Sequence, residues 1–233
     1  MHEKDAPLYS EEDKLNISGT QAREMFERGQ TPPEWFMRPE ISEIITNAIK
    51  SDEEVFVKEK KSGTVVWFTG LSGAGKTTLA VALEERLLKE GLSVERLDRD
   101  VVRQSLTKDL GFSKEDRDTN IERVTFVAKL LARNNVITLV SFISPYKKHR
   151  DMARDEVSNF IEVHVNCALE ECERRDVKGM YKKARQGEIQ NFTGINDPYE
   201  APDSPEIEVK TDQCTIEEGV EQIYQHLKEK SFI

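Results

Sequence analysis

Eight consecutive residues, 70–77, have the types and spacing of a loop that binds phosphate groups. The segment reads GLSGAGKT and matches G-x-x-x-x-G-K-[ST] at every fixed position. The glycines let backbone N–H groups turn toward a β-phosphate, the lysine reaches the β- and γ-phosphates, and the final hydroxyl ligates Mg²⁺. A chance glycine-rich turn is the alternative, but this loop lies between an apolar run and a helical pattern. We predict a nucleoside triphosphate site at Gly70, Leu71, Ser72, Gly73, Ala74, Gly75, Lys76, Thr77 and Thr78.

Two carboxylates, Asp98 and Asp100, follow the next apolar run along the chain. Ligands of open α/β sheets bind at the carboxyl ends of the strands. In an extended segment both side chains would project to one side and could address Mg²⁺ or an acceptor hydroxyl. Capping of a helix that starts near Val101 is the alternative. We predict catalytic roles for Lys76, Asp98 and Asp100, with metal ligation by Thr77 and Asp98.

The elements that must position these residues alternate from residue 63 onward. Apolar runs predict strands at 65–68, 94–97, 136–142, 160–165 and 207–209, and apolar stripes predict helices at 76–90, 115–134 and 216–230. Alternating strands and helices indicate an α/β fold. We predict a P-loop NTPase-type parallel sheet of about five strands flanked by helices.

Three segments are predicted along the chain. Residues 1–50 form a short, mainly helical arm, in which the first 13 residues fray and breaks occur at Gly29 and at Pro32-Pro33. Residues 51–62 are a charged connector, and residues 63–233 are the main domain.

The composition limits the partners and the compartment. A formal net charge of −10 argues against nucleic acid or an anionic membrane as a partner. No apolar run approaches the roughly 18 residues that span a bilayer. The three cysteines form no CxxC pair, so we predict free thiols and a cytoplasmic protein.

Further motifs occur in a fixed order along the main domain. They are GLSGAGKTT at 70–78, LDRDVVR at 97–103, DLGFSKEDRDTNIERV at 109–124, SFISP at 141–145, RDVKGMYKKARQGEI at 175–189, FTGINDPYEAP at 192–202 and KTDQC at 210–214. With these motifs, residues 63–232 resemble the adenylyl-sulfate kinase family. The resemblance implies transfer of the ATP γ-phosphate to the 3′-hydroxyl of adenylyl sulfate (APS), which gives 3′-phosphoadenylyl sulfate and ADP. It implies ATP and Mg²⁺ as cofactors. We also predict a homodimer, with an ATP sulfurylase as a further candidate partner.

The same resemblance implies a role for individual residues. A lid segment over the site would place positive charge near the ATP phosphates through Lys182, Lys183 and Arg185. Cys214 would lie beside the ATP base. The implied APS site contains Asp98, Arg103, Phe112, Arg117, Asn120, Ile143, Ser144, Lys178 and Phe192. Taken singly, the two phenylalanines are more often core residues and the lysine pair a solvated surface.

Ser144 has two interpretations besides APS binding. Relatives are described as using this serine as a phosphorylated intermediate, whereas Ser144-Pro145 also has the pattern of a helix N-cap with proline at N1. We favour direct transfer with Asp100 as the base, because transfer needs only positioning, Mg²⁺ and charge neutralisation.

Two features depart from the family pattern. Arg99 stands where the family usually has the glycine of Asp-Gly-Asp, and it could contact an anionic ligand or weaken Mg²⁺ binding. Residues 16–23 and 33–40 resemble the end of an ATP sulfurylase catalytic domain, but the four histidines lack HxxH or HxGH spacing. We predict no sulfurylase activity. The arm either packs on the kinase domain or on a second subunit, or it is an evolutionary relic with no catalytic role.

Two other functions are consistent with the sequence. One is a different P-loop kinase, acting on a sugar or a nucleotide. The other is a non-catalytic nucleotide-binding partner of an ATP sulfurylase.

Overall fold

The computed structural model describes residues 17–51, 62–111 and 113–233. The chain divides into two compact units, residues 1–59 and 60–233. The predictions for the first 13 residues, for Phe112 and for most of the charged connector lie outside the described residues.

The described part of the first unit, residues 17–51, contains two helices, α1 (Gly19–Glu27) and α2 (Pro39–Lys50). Helix α1 begins with a capping box, in which Ser18 Oγ accepts from the Gln21 backbone N–H and the Gln21 side chain accepts from the Ser18 N–H. It ends just before Gly29, whose φ is +73°.

The second unit is built on five parallel strands. They are β1 (Val65–Thr69), β2 (Val94–Asp98), β3 (Ile137–Ser141), β4 (Phe160–Asn166) and β5 (Ile207–Lys210). The strand order is β2-β3-β1-β4-β5, with β1 paired to β3 and β4. All five residues of β1 and of β3 are buried, as expected for parallel strands covered on both faces. The predicted fold class is confirmed.

Helices cover both faces of this sheet. They are α3 (Lys76–Lys89), α4 (Arg99–Gln104), α5 (Lys114–Ala132), α6 (Lys147–Glu156), α7 (Leu169–Arg175), α8 (Met180–Arg185) and α9 (Ile216–Glu229). The three predicted helices correspond to α3, α5 and α9.

Alternation along β1 divides the apolar core between the two faces. Val66 and Phe68 pack with residues of α3 and α9, such as Leu83 and Ile223. Val65 and Trp67 belong to the other cluster, with residues of α5 and α6. Because the strands are parallel, the carboxyl ends of β1, β2 and β3 lie at one edge of the sheet, where the loops that follow them meet. None of the helices described here is long and apolar enough to cross a membrane.

Candidate active site

The phosphate loop joins β1 to α3 and depends on glycine at its ends. Gly70 has φ +146°, and a Cβ there would lie 2.4 Å from the Val165 carbonyl oxygen. Gly75 has φ +101° and is the N-cap of α3, where no side chain caps the helix. The first backbone N–H groups of α3 are therefore available to an anion.

Lys76 is buried at the start of α3, with 8% of its surface exposed. Its Nζ donates to the carbonyl oxygens of Gly70 (2.9 Å) and Leu71 (2.7 Å) within the same loop. Burial is the main cause that lowers the pKa of the Lys76 amine from 10.5 to about 7. A bound polyphosphate would stabilise the ammonium form, so phosphate binding and protonation of Lys76 are coupled.

ATP affinity is therefore expected to fall as the pH rises above 7. The ammonium binds phosphate and the neutral amine does not, so each pH unit above the pKa should weaken binding by up to about tenfold. Calorimetric titrations from pH 6 to 9 measure this slope. The Lys76→Met variant is the control, because ionisation of ATP itself affects both proteins equally. A slope shared by both proteins would contradict the assignment.

Three side-chain oxygen atoms that could ligate a metal ion lie close together where β2 and β3 end beside the phosphate loop. Thr77 Oγ1 donates to Asp98 Oδ2 (2.9 Å) and lies 3.4 Å from Ser141 Oγ. Mg²⁺ is commonly held by one or two carboxylates together with substrate phosphates, so one carboxylate beside hydroxyl oxygens fits this ion. The described residues contain no group of three or more His, Cys, Asp or Glu side chains that would hold a metal without a substrate.

Asp98 and Asp100 do not lie in one extended segment, so that premise was wrong. Asp98 is the N-cap of α4, and its Oδ1 accepts from the Asp100 backbone N–H (2.9 Å). Capping and the contact with Thr77 therefore occur together in Asp98. Asp100 lies in the first turn of α4 and accepts from Lys178 Nζ (2.6 Å). This hydrogen bond is the main cause that lowers the Asp100 pKa from its ordinary value.

Two cavities lie side by side at this edge of the sheet. The donor cavity, of about 440 Å³, is lined by the phosphate loop, by Asp98 and Asp100, and by Lys178. The acceptor cavity, of about 140 Å³, is lined by residues of α4 and α5, by the segment after β3, and by residues 189–193. Both cavities are covered by the lid, which we define as residues 176–197.

The acceptor cavity carries positive charge. Arg99, Arg103 and Arg117 line it, and no aspartate or glutamate is found among the described residues that form its wall. Asn120 is 4% exposed, and its Oδ1 has no hydrogen-bond partner within the described part of the chain. Phe192 lines the wall and packs edge-on against Tyr181 at 5.0 Å between ring centroids.

Arg117 binds the lid as well as facing the cavity. Its Nη1 donates to Asp197 Oδ2 (2.6 Å) and to Thr193 Oγ1 (3.2 Å), and its Nη2 donates to the Asn191 carbonyl. Tyr146 donates to the same Asp197 carboxylate (3.1 Å). Arg103 Nη1 donates to the carbonyl oxygens of Leu110 and Gly111. Arg103 and Arg117 therefore hold segments of the cavity wall in place by hydrogen bonds, and they also give the cavity positive charge.

Ser144 is not the N-cap of a helix, contrary to that interpretation of Ser144-Pro145. Helix α6 begins at Lys147 with Tyr146 at the N-cap, and Ser144 lies in the segment between β3 and α6 with φ +45°. Its Oγ accepts from Trp67 Nε1 (3.0 Å), and the side chain is 2% exposed. Ile143 lines both cavities, whereas Ser144 is absent from the described lining of either one.

Some of the remaining predicted residues line a cavity, and others are exposed on the surface. Cys214 lines a third cavity, of about 250 Å³, together with Gly75 and Thr78, and its place beside the ATP base stays a prediction. Lys182, Lys183 and Arg185 are exposed on α8, and Arg185 pairs with Glu173 (2.5 Å). Of the predicted lid cations, the structure brings Lys178 alone to the described lining of the donor cavity.

Sequence reasoning missed three residues that shape the phosphate loop. Tyr181 donates to the Ser72 carbonyl (2.8 Å), and Thr211 Oγ1 donates to the Ala74 carbonyl (2.6 Å). Arg175 donates to the Thr211 carbonyl (2.8 Å) and lines the third cavity. All three lie inside the quoted family motifs, which was the signal available in the sequence.

Comparison with known proteins identifies the family. The adenylylsulphate kinase family model matches residues 62–210. The chain belongs to this kinase family. A probable adenylyl-sulfate kinase of Pseudomonas aeruginosa is 70% identical over 161 residues, which are 69% of this chain and 75% of that protein.

Two solved kinase structures are also similar. The APS kinase of Mycobacterium tuberculosis, solved in complex with AMPPNP and APS, is 43% identical with a TM-score of 0.69, over 72% of this chain and 98% of that one. The hexameric APS kinase of Thiobacillus denitrificans is 31% identical with a TM-score of 0.58, over 98% of this chain and 40% of that one. Residues 1–48 match the ATP-sulfurylase family model, which confirms the resemblance of the N-terminal segment.

Proposed function

We propose that this protein is an adenylyl-sulfate kinase, which transfers the γ-phosphoryl group of ATP to the 3′-hydroxyl of APS. The observation that carries the proposal is the acceptor cavity, which places three arginines beside a phosphate loop in a protein of net charge −10. A neutral sugar needs no such cations, whereas APS carries a phosphosulfate group. Membership of the kinase family supports the same conclusion.

The transfer we propose is direct. The bond between the γ-phosphorus and the β,γ-bridging oxygen breaks, a bond from the 3′-oxygen of APS to that phosphorus forms, and ADP leaves. The hydroxyl proton passes to the Asp100 carboxylate, one oxygen of which contacts Lys178. Lys76 and the N-terminal N–H groups of α3 neutralise charge on the phosphates.

Thr77 and Asp98 are the residues we propose for Mg²⁺, and Ser141 lies beside them. When bound, the ion would neutralise charge on the β- and γ-phosphates. In the APS site we propose the predicted residues Arg103, Phe112, Arg117, Asn120, Ile143, Lys178 and Phe192. Ser144 would act on this site through its neighbours in the chain, Ile143 and Pro145, which line the acceptor cavity.

The lid must open for APS to enter. The acceptor cavity of about 140 Å³ is smaller than the roughly 300–1,000 Å³ of typical ligand sites. The contacts of Arg117 and Tyr146 with Asp197 hold the lid against α5 and α6. We infer that these contacts break on entry and form again around the substrate, which excludes water from the transferring phosphate.

A coupled assay tests the proposed function. The purified protein is incubated with MgATP and APS, and release of ADP is followed with APS omitted as the control. ADP release that depends on APS is the expected result. ATP binding without such turnover would favour the non-catalytic alternative.

Replacement of Ser144 by alanine is expected to change kcat by less than about threefold. Direct transfer makes no bond to this serine, and its hydroxyl contacts Trp67. Loss of the acceptor for the Trp67 N–H should lower the free energy of unfolding by about 1–3 kcal/mol. Steady-state kinetics and urea denaturation measure the two effects. Complete loss of turnover in a folded variant would instead support a phosphoserine intermediate.

The N-terminal unit supports a further contact with another polypeptide. Trp35, Ile41 and Ile44 expose 51%, 46% and 68% of their surfaces, and clustered exposed apolar side chains often mark an interaction site. A homodimer and an ATP sulfurylase partner both stay predictions. Sedimentation velocity of the protein alone, and then with a sulfurylase, distinguishes them.

A further inference from the structure

Arg99 lies at the boundary between the donor and acceptor cavities. Among the described residues, five line both cavities: Ser72, Arg99, Phe142, Ile143 and Met180. Arg99 is the single charged residue in that shared set. A phosphoryl group that moves between an ATP in one cavity and an acceptor in the other must pass this boundary.

The electrostatic effects of Arg99 reach both sides of the boundary. Burial is the largest cause that lowers the pKa of Lys76 on the donor side, and the positive charge of Arg99 is a smaller cause in the same direction. The same is true on the acceptor side, where burial lowers the pKa of Arg103 most and the charge of Arg99 adds to that effect. Arg99 therefore repels Lys76 and Arg103, which is unfavourable in the absence of a ligand. Such an arrangement is expected where an anion with several negative charges binds between the cations.

We propose that Arg99 is a catalytic residue that contacts the phosphoryl group during its transfer. Charge is spread over the equatorial oxygens of that group in the transition state, and a guanidinium can donate to two of them at once. The inference rests on the proposed kinase activity.

The kinetic test compares Arg99→Gln with the matched control Arg133→Gln, which removes an exposed arginine at the end of α5. We expect kcat to fall at least about tenfold in R99Q, with less than threefold change in either KM, because the lost contact forms in the transition state. R99K should recover part of the rate. Guanidinium ions should partly rescue R99G, because its missing side chain leaves space beside the acceptor cavity.

A binding test does not depend on the identity of the acceptor. ADP with magnesium and aluminium fluoride mimics the phosphoryl group in transfer. R99Q should bind this complex at least about tenfold more weakly than the unmodified protein does, while ADP alone binds equally well. Calorimetry measures both affinities.

The outcomes separate the two proposals. If the unmodified protein fails to turn over APS, the proposed function fails and the fluoride complex still decides the role of Arg99. A kcat for R99Q within twofold of the unmodified value, or a change confined to KM for APS, would overturn the role of Arg99 alone. Equal binding of the fluoride complex by both proteins would overturn it as well.

Discussion

Replacement of Lys76 by methionine is expected to lower kcat by about 10³-fold or more. Methionine keeps the length and the apolar stem of the side chain but removes the ammonium that would move from the Gly70 and Leu71 carbonyls to the phosphates. Loss of one donor to developing charge commonly costs about 10²–10³ in rate, and here a full positive charge is also lost. Single-turnover kinetics with saturating APS measure the chemical step.

The matched control for this variant is Lys89→Met. Lys89 is exposed at the last turn of the same helix, α3, so its loss tests the general effect of removing one cation. Thermal unfolding of both variants is measured, because burial of methionine at position 76 should preserve or raise stability: the buried amine is costly. Retention of more than a tenth of the rate in K76M would show that another cation serves the γ-phosphate.

The sequence predicted well those features that depend on neighbours along the chain. The phosphate loop and β1 follow from a glycine spacing and an apolar run, and both are local patterns. The five strands could be predicted because parallel strands buried on two faces are almost uninterrupted apolar segments. The edge of the sheet at which the site lies then follows from the topology.

Features that depend on distant partners were not predictable in this way. The hydroxyl of Ser144 contacts Trp67, which is 77 positions away, and helix α6 starts at Lys147 rather than at Pro145. Asp100 was expected to lie in an extended segment, but Asp98 caps a helix, α4, that starts at Arg99, so Asp100 lies in its first turn. The partner of Asp100, Lys178, is 78 positions away, and no spacing in the sequence indicates that pairing.

Arg150 is a further case, and its replacement by methionine is expected to lower the free energy of unfolding by about 3–5 kcal/mol. The side chain is 2% exposed. Its Nε donates to Glu162 Oε1 (2.6 Å), its Nη1 to the Ser144 carbonyl (2.7 Å) and its Nη2 to the Glu200 carbonyl (2.7 Å). The variant leaves the Glu162 carboxylate buried with Arg154 as its remaining described ion-pair partner, at 3.2 Å.

Urea denaturation measures this loss, and two further variants interpret it. Arg154→Met removes a more exposed arginine that pairs with Glu206 and Glu162, and it should cost about 1 kcal/mol or less. The double variant Arg150→Met with Glu162→Leu removes both charges of the buried pair and should recover part of the stability. Equal losses in R150M and R154M would contradict a dominant buried pair.

The effect of R150M on catalysis should be separate from its effect on folding. Arg150 holds the Ser144 carbonyl, and the residues on either side of Ser144, Ile143 and Pro145, line the acceptor cavity. The same guanidinium holds Glu200, just beyond the lid. In the folded variant, KM for APS should therefore rise at least about tenfold. KM for ATP should change less, because Pro145 and the residues 189–193 line the acceptor cavity and are not among the described residues that line the donor cavity. R150K keeps the charge but cannot make three fixed hydrogen bonds, so it should restore part of the stability and little of the APS affinity. Equal KM values for APS in R150M and the unmodified protein would limit Arg150 to a role in folding.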